Sequence, residues 1–478
     1  IVVDTLKQIK QKFGIDFECA DIIGKKWMCL QNGVEAMASS SFHEYCKALR
    51  EESKCEFYLN TRNQNMQPTF GAKQAVEELK MAGPCHVHEF ISQGKKHTLC
   101  PYELAALTAA NARVIIADYY YAFNRSIRQS FLLKTKKELE NIILVVDEAH
   151  NLPARVRELL TQKTSSLIIE NAKKEARKYG YDETVENLSV IEDALFKAGK
   201  EIENEGIISK NNFIDAIGKV KNYDEITAEL MLIGEEIRDK QKRSFVLSTA
   251  KFLEAWLGPD IGFGRILTKE IDTKLKISLA YRCLDPSIAT KEVFEKCHSA
   301  ILMSGTLTPT SMYKDILGFK DEVVEKEYKS PFPKKNRLNL IVPKTTTKFL
   351  ERNQKQYAEI AKVCCDIVNL INGNSAIFFP SYDLMLKIKE YFARECGKPI
   401  FMEKQSMTKK EKEELLNTFK SHKEKGAVLL GISTGSFGEG IDMPNVLKAV
   451  IIVGLPLNKP DTEARLLIEY YDDKFGKG

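Results

Sequence analysis

The chain has 478 residues, too many for one hydrophobic core, so length alone suggests two to four domains. With 44% hydrophobic and 29% charged residues it reads as an ordinary soluble globular protein, and its net charge of +5 permits nucleic acid without arguing for it. No apolar run approaches membrane-spanning length and no signal peptide is visible, which excludes a membrane role and points to an intracellular protein.

The chain opens on Ile1 rather than methionine and closes on "YYDDKFGKG" without a tapering tail, so both ends look cut. Residues from about 15 to 105 are rich in Cys, His and Gly and show little clear periodicity. Six of the eleven cysteines lie in the first hundred residues. An odd count makes a poor disulfide framework, and in a reducing compartment metal ligation is the better reading. Cys29, Cys46, Cys55 and Cys100 are spaced C-x16-C-x8-C-x44-C, and the last is followed by proline. Four thiolates are what a [4Fe–4S] cluster requires. Zinc binds four cysteines equally well, and His43, His86, His88 and His97 lie among them as further possible ligands. They could equally be buried thiols acting as small hydrophobes. Cys19, Cys85 and the later cysteines read as structural.

Val114 to Ala117 reads as a buried strand, and "DYYYAFN" at 118 to 124 follows it. Aromatics there serve either as core or as a platform on which bases stack, with Tyr119 and Tyr121 the candidates. Next comes "IILVVDEAHNLP" at 142 to 153. Ile142 to Val146 is short and β-branched, as expected of a strand buried on both faces of a parallel sheet. Asp147, Glu148 and His150 then sit at its carboxyl end, where open α/β sheets bind ligands. An acidic pair in that place suits Mg²⁺ and an activated water beside a nucleotide, and D-E-A-H after such a strand reads as a Walker B element of an NTP-driven motor.

Residues from about 155 to 265 read as largely helical, with charged amphipathic stretches such as "DEITAELMLIGEEIRDKQKR" at 224 to 243. This region and 15 to 105 both interrupt the first α/β unit and look like insertions. Beyond them, buried strands are predicted at Ile301 to Met303, Ala376 to Phe379, Ala427 to Ile432 and Val450 to Val453, with helices at Lys355 to Ile371 and Tyr382 to Phe392 between the later ones. That alternation predicts parallel sheets. Ser381 and Tyr382 lie just past a strand's carboxyl end and are candidate contacts. A motor also needs the phosphate loop G-x-x-x-x-G-K-[ST], yet none of the Gly-Lys pairs, from Gly24-Lys25 to Gly476-Lys477, is followed by Ser or Thr.

The motifs together resemble the XPD family of superfamily 2 DNA helicases, archaeal XPD most clearly and bacterial DinG more distantly. The resemblance runs in order through the four cysteines, "VVDEAHNL", "ILMSGTLTP" at 301 to 309, "FFPSYDLM" at 378 to 385, and "GSFGEGIDMPN" with "AVIIVGLPLNKP" between 435 and 460. It implies an α/β fold of two RecA-like parallel-sheet motor domains, with an iron–sulfur domain and a helical arch inserted in the first. The boundaries implied are 1–14, 106–154 and 285–325 for the first motor, 15–105 for the cluster domain, 155–284 for the arch and 326–478 for the second motor.

Carried over residue by residue, the resemblance makes Cys29, Cys46, Cys55 and Cys100 the [4Fe–4S] ligands, with Lys25 beside cluster and DNA. Asp147 would hold Mg²⁺, Glu148 would orient or deprotonate the attacking water, and His150 would couple the site to Ser304, Gly305 and Thr306. Glu439, Gly440 and Asp442 would face nucleotide and DNA from the second motor. The activity implied is ATP-dependent 5′ to 3′ translocation on single-stranded DNA and unwinding of forked duplex, by a monomer, in DNA repair such as nucleotide excision repair. Repair proteins are the implied partners, in the cytoplasm of a prokaryote or the nucleus of a eukaryote. The family's phosphate loop would precede Ile1 and its arginine motif Q-x-x-G-R-x-x-R would follow Gly478; the only Gly-Arg pair, Gly264-Arg265, has Ile261 where glutamine belongs. The alternatives are an ATPase-inactive scaffold that binds DNA or partner proteins, and a DinG-like helicase of another pathway.

Overall fold

The structure, a computed structural model, describes residues 2–15, 17–37, 39–241, 243–271, 275–320, 322–438, 441, 443–457 and 461–476. Twelve strands run in chain order as Cys19–Ile22 (β1), Val114–Ala117 (β2), Ile143–Val146 (β3), Gln162–Ser165 (β4), Glu205–Ile207 (β5), Phe263–Ile271 (β6), Leu275–Cys283 (β7), Ser299–Leu302 (β8), Asn374–Phe379 (β9), Ile400–Met402 (β10), Val428–Ile432 (β11) and Leu447–Ile452 (β12). They form four sheets: β1-β2, β3-β8, β4-β7-β6-β5 and β10-β11-β9-β12. The chain divides into two compact units, 1–327 with 460–478, and 328–459.

In the first unit β1 pairs with β2 and β3 with β8, both parallel, with Val145 opposite Ile301 and Val146 opposite Leu302. The parallel α/β expectation holds here, but burial on both faces does not. Val146 is buried, whereas Ile143 and Val145 on one partner and Ile301 on the other are 52–60% exposed. A strand's side chains alternate between faces, and the core formed by Leu139, Val146, Leu152, Val156, Val293 and Leu317 lies against one face only.

The region from 15 to 105 lacked a clear period yet is mostly helical, with Ser39–Glu51, Phe70–Ala82 and Val87–His97 its longest helices. Helix Phe70–Ala82 starts where the Thr69 hydroxyl accepts from Ala72 N at 3.2 Å. Its Ala72, Ala75 and Leu79, spaced at helical intervals, are buried with Phe90, Leu104 and Ala105.

The stretch after residue 155 is helical as expected, with Asp182–Lys200 and Tyr223–Gln241 its longest members. They pack with Trp256, Phe252 and Phe213 in the largest apolar core. Built on this layer is an antiparallel sheet that the helical periodicity of the region does not reveal. β6 and β7 pair in register from Phe263 with Cys283 to Ile271 with Leu275, flanked by β4 and β5. Helix Thr462–Phe475 also belongs to this unit, where Tyr470 and Lys474 reach Asp285 and Glu463 reaches Arg282. The boundary of 326–478 implied by the resemblance puts that helix with the second motor instead.

The second unit is an all-parallel sheet with helices on both faces. Ile377, Phe379, Val428 and Leu430 pack on helices Gln354–Leu370 and Tyr382–Glu395, while Ala376 and Leu429 face Phe419 on the other side. Such two-sided cover makes β9 and β11 almost continuously apolar. No helix among the described residues is long and apolar enough to cross a membrane.

Candidate nucleotide site and cysteine cavity

The two acids sit where β3 ends. Ladder hydrogen bonds continue past the strands, because Met303 N donates to Val146 O and Ala149 N donates to Met303 O, each at 3.0 Å. The segment Ser304–Thr306 is thereby clasped against the D-E-A-H turn. Glu148 takes the left-handed conformation, with φ of 47°, which lifts its carboxylate away from the strand and leaves the side chain 62% exposed. Asp147 Oδ1 accepts from Glu148 N at 2.9 Å, so its second oxygen keeps its capacity for a cation.

Ser304 Oγ is the hub of the corner. It lies 2.7 Å from His150 Nδ1, donates to Glu148 Oε2 at 3.2 Å, and accepts from Thr306 N at 3.1 Å. All these bonds are satisfied when His150 carries its proton on Nδ1. The acid that would handle water, the histidine and the Ser-Gly-Thr segment are thus one hydrogen-bonded group, although 154 residues separate His150 from Ser304. Among the described residues no three His, Cys, Asp or Glu side chains stand close enough to hold a metal ion by themselves. Mg²⁺ is commonly held by one or two carboxylates and completed by waters and phosphates, so this corner fits that ion.

The tyrosines of "DYYYAFN" are differently placed. Tyr119 donates its hydroxyl to the carbonyls of Asp147 and Glu148 at 2.5 and 3.1 Å. Burial, then Asp147 and Glu148, raise its phenol pKa. Tyr121 packs its ring on Phe131 with centroids 4.8 Å apart and donates to Ile23 O at 3.0 Å. Both rings are partly buried; Tyr120, between them, is the exposed one.

The four cysteines converge. Cys29, Cys46, Cys55 and Cys100 line one cavity together with Lys25, Arg50, Phe42, Phe57, Tyr102 and Glu103. All are free thiols. Burial pushes Cys100 up to about 12 and raises Cys29 and Cys46 as well, while Arg50 and Lys25 act on Cys46 in the opposite direction. Thiolates in such a place need a metal centre, whose binding releases their protons. A single zinc with bonds of about 2.3 Å would draw its sulfurs to within about 4 Å of one another. Four thiols around one cavity are a donor set that suits a [4Fe–4S] cluster and equally a single zinc.

Behind the cavity the carboxylate of Glu103, only 3% exposed, is held by Arg62 at 3.0 Å and by Lys134. Burial pushes its pKa up, but Lys134 and Arg62 outweigh that and keep it below the ordinary glutamate range. Lys25 and Lys134 lie over the Tyr102 ring at 4.9 and 5.3 Å. Glu103, Arg62 and Lys134 escaped the sequence reading, since nothing local marks an ion pair between residues 31 and 41 positions apart.

In the second unit Ser381 caps helix Tyr382–Glu395, accepting from Leu384 N at 3.3 Å, and Tyr382 donates to Glu403 at 3.1 Å. Glu403, 1% exposed, also accepts from Ile432 N and Ser436 N at 3.0 and 2.8 Å. It was not anticipated, yet it pins the start of the "STGSFGEG" loop. Gly435 is required there because a Cβ would lie 2.6 Å from the Glu403 carboxylate. Glu439, Gly440 and Asp442 lie outside the described residues.

Parallel sheets carrying an acidic turn at a strand's carboxyl end define an α/β architecture of the nucleotide-binding kind, and comparison with known proteins points to helicases. The DEAD_2 family model matches residues 1–168 and the Helicase C-terminal domain model matches 364–478. ATP-dependent DNA helicase CHL1 of Yarrowia lipolytica is 25% identical over 92% of this chain and 61% of its own length. The general transcription and DNA repair factor IIH helicase subunit XPD/RAD3 of Saccharomyces cerevisiae is 22% identical over 86% of this chain and 62% of its own. A solved XPD helicase structure superposes with a TM-score of 0.61 at 20% identity, covering 98% of this chain and 77% of that one. The two family models and these relatives together support the XPD-like family of superfamily 2 helicases. The chain spans about six-tenths of the length of the first curated relatives it matches.

Proposed function

We propose that the protein is an ATP-dependent DNA helicase that moves 5′ to 3′ on single-stranded DNA, carries a [4Fe–4S] cluster on Cys29, Cys46, Cys55 and Cys100, and opens forked duplex in DNA repair. The observation that carries the reading is Ser304, whose hydroxyl touches both Glu148 and His150 and so ties the hydrolytic corner to a segment far away in sequence. Asp147 would hold Mg²⁺, which neutralises phosphate charge. Glu148 orients and deprotonates the attacking water, His150 reports its state to Ser304, and Thr306 N keeps Ser304 in place. Gly305 and Thr306 complete the segment, and Glu439, Gly440 and Asp442 act from the second motor. The inserted regions at 15–105 and 155–284 serve as cluster domain and arch.

In this reading the cluster, when bound, supplies a rigid cross-link among four distant points of the chain. Around it Lys25 and Arg50 offset the thiolate charge, and Lys25 meets DNA. The test is strand separation of forked duplexes with a 5′ or a 3′ single-stranded tail by anaerobically purified full-length protein, alongside iron and labile sulfide analysis. About four irons per chain and unwinding of the 5′-tailed fork alone support the reading. Zinc in place of iron, or no unwinding of either fork, contradicts it. The CHL1 relatives favour a second reading of pathway, in which the same motor serves a role other than excision repair. Complementation of repair-deficient against CHL1-deficient cells separates the two.

A further inference from the structure

The turn at 118–123 touches both sites. From one end Tyr119 bonds the carbonyls of Asp147 and Glu148, the residues whose side chains face the nucleotide. From the other, Tyr121 donates to Ile23 O at 3.0 Å and packs its ring against the apolar core that holds Tyr102. Ile23 leads into the arm bearing Lys25 and Cys29; Tyr102 follows Cys100 by two residues and lines the cavity. Tyr121 thus holds one arm of the cysteine cavity by its hydroxyl and packs in the same core as the other, while the Tyr119 hydroxyl, two residues earlier, grips the hydrolytic turn.

The piece between them is stiff. Phe123 is 2% exposed and meets Phe294 edge-on, and Arg128, itself buried, donates to Ala122 O and pairs with Glu292, each at 2.9 Å. Asn124 caps the next helix by accepting from Ile127 N at 3.1 Å. A short segment held in this way is placed to carry a shift of the Glu148 backbone toward the cavity.

We propose that this turn is the mechanical link between nucleotide hydrolysis and the cysteine domain, with Tyr119 and Tyr121 as positioning residues acting through their hydroxyls. The inference rests on the DNA-dependent ATPase reading above. The two sites it joins have discrete hydrogen-bonded contacts at each end, so removing either hydroxyl breaks the same link. It gives the two tyrosines a role through their hydroxyls beside the core and base-stacking roles that their sequence suggests; both rings are partly buried, and Tyr120 between them is the more exposed.

The experiment measures ATP hydrolysis by the full-length protein with and without single-stranded DNA in Tyr119→Phe, Tyr121→Phe and the double variant. Phenylalanine keeps each ring, and so its packing, while deleting the hydroxyl. Each single change should lower the ratio of DNA-stimulated to DNA-free rate about fivefold, the worth of one net hydrogen bond. The double variant should fall no further than the worse single one, because two cuts in one link in series act as one. Wild-type stimulation retained in both Phe variants overturns the link while leaving the helicase reading intact, and effects that multiply in the double variant overturn it in favour of two separate structural roles. Wild-type protein that shows no stimulation by DNA overturns the parent reading, and the link with it.

Discussion

The nucleotide corner and the cysteine cavity lie in the same compact unit and are built on opposite principles. At the corner the working groups stand in the open: Glu148 is 62% exposed and the bonds among Glu148, His150 and Ser304 are made at the surface. In the cavity charge is buried and balanced, with Glu103 between Arg62 and Lys134 and the thiols walled by Phe42, Phe57 and Tyr102. An open corner can exchange nucleotide, water and ion in each cycle and costs little stability. A closed cavity can hold a permanent group, and its polar parts are costly to disturb. Substitutions should therefore damage turnover at the first and the fold at the second.

The largest effect that would sharpen this contrast is Glu148→Gln. Loss of a general base typically costs 10²- to 10⁴-fold, so ATP turnover should fall by about that factor with the melting temperature unchanged. A marked fall in melting temperature would mean that the corner is structural after all. On the cavity side Cys55→Ser should lose iron and unwinding while keeping DNA-free ATPase, since no cavity residue lines the hydrolytic turn. Metal analysis with both activity assays reads this out, and unchanged unwinding would remove the cluster from the mechanism.

Glu103→Ala comes next. Removing one partner of a buried ionic group costs roughly 3–5 kcal/mol because the others are left uncompensated. Denaturant unfolding checks it, with m-values compared to exclude a change in cooperativity. The same group predicts a pH dependence. Its folded pKa lies below the ordinary value of 4.5, so its stabilisation is fully present above that value and is lost as pH falls through the depressed one. Glu103→Gln should flatten the acid limb of the stability curve, and an unaltered limb would show that the pair contributes nothing there. The smallest effect belongs to Ser304→Ala, which severs one partly exposed hub. Unwinding per ATP hydrolysed should drop about fivefold while hydrolysis itself changes less.

Sequence and structure agree best where function is contiguous. D-E-A-H is four adjacent residues after an apolar run, and the strand, its carboxyl end and the exposed acids follow from that run alone. The cysteines are legible as a set because thiols are scarce, but their surroundings are not. Glu103 finds Arg62 and Lys134 only after helices fold together, and Glu403 finds Ile432 and Ser436 across 29 and 33 residues.

One expectation differs from the structure, and another leaves a contact unseen, for a related reason. The stretch Ile142–Val146 looks buried on both faces because composition records apolarity, whereas exposure depends on what covers each face. Tyr119 and Tyr121 look like a stacking platform because a hydroxyl's partner is invisible in sequence, and theirs are 28 and 98 residues away. The antiparallel pair of β6 and β7 was hidden between long helical stretches whose periodicity dominated the region.

The central claim is that this protein hydrolyses ATP under the control of DNA. Steady-state hydrolysis by the full-length protein, measured with and without single-stranded DNA and repeated in Glu148→Gln, tests it most directly. The account predicts a rate that rises on adding DNA and disappears in the variant. A rate indifferent to DNA, or one that survives the loss of the Glu148 carboxylate, would contradict it.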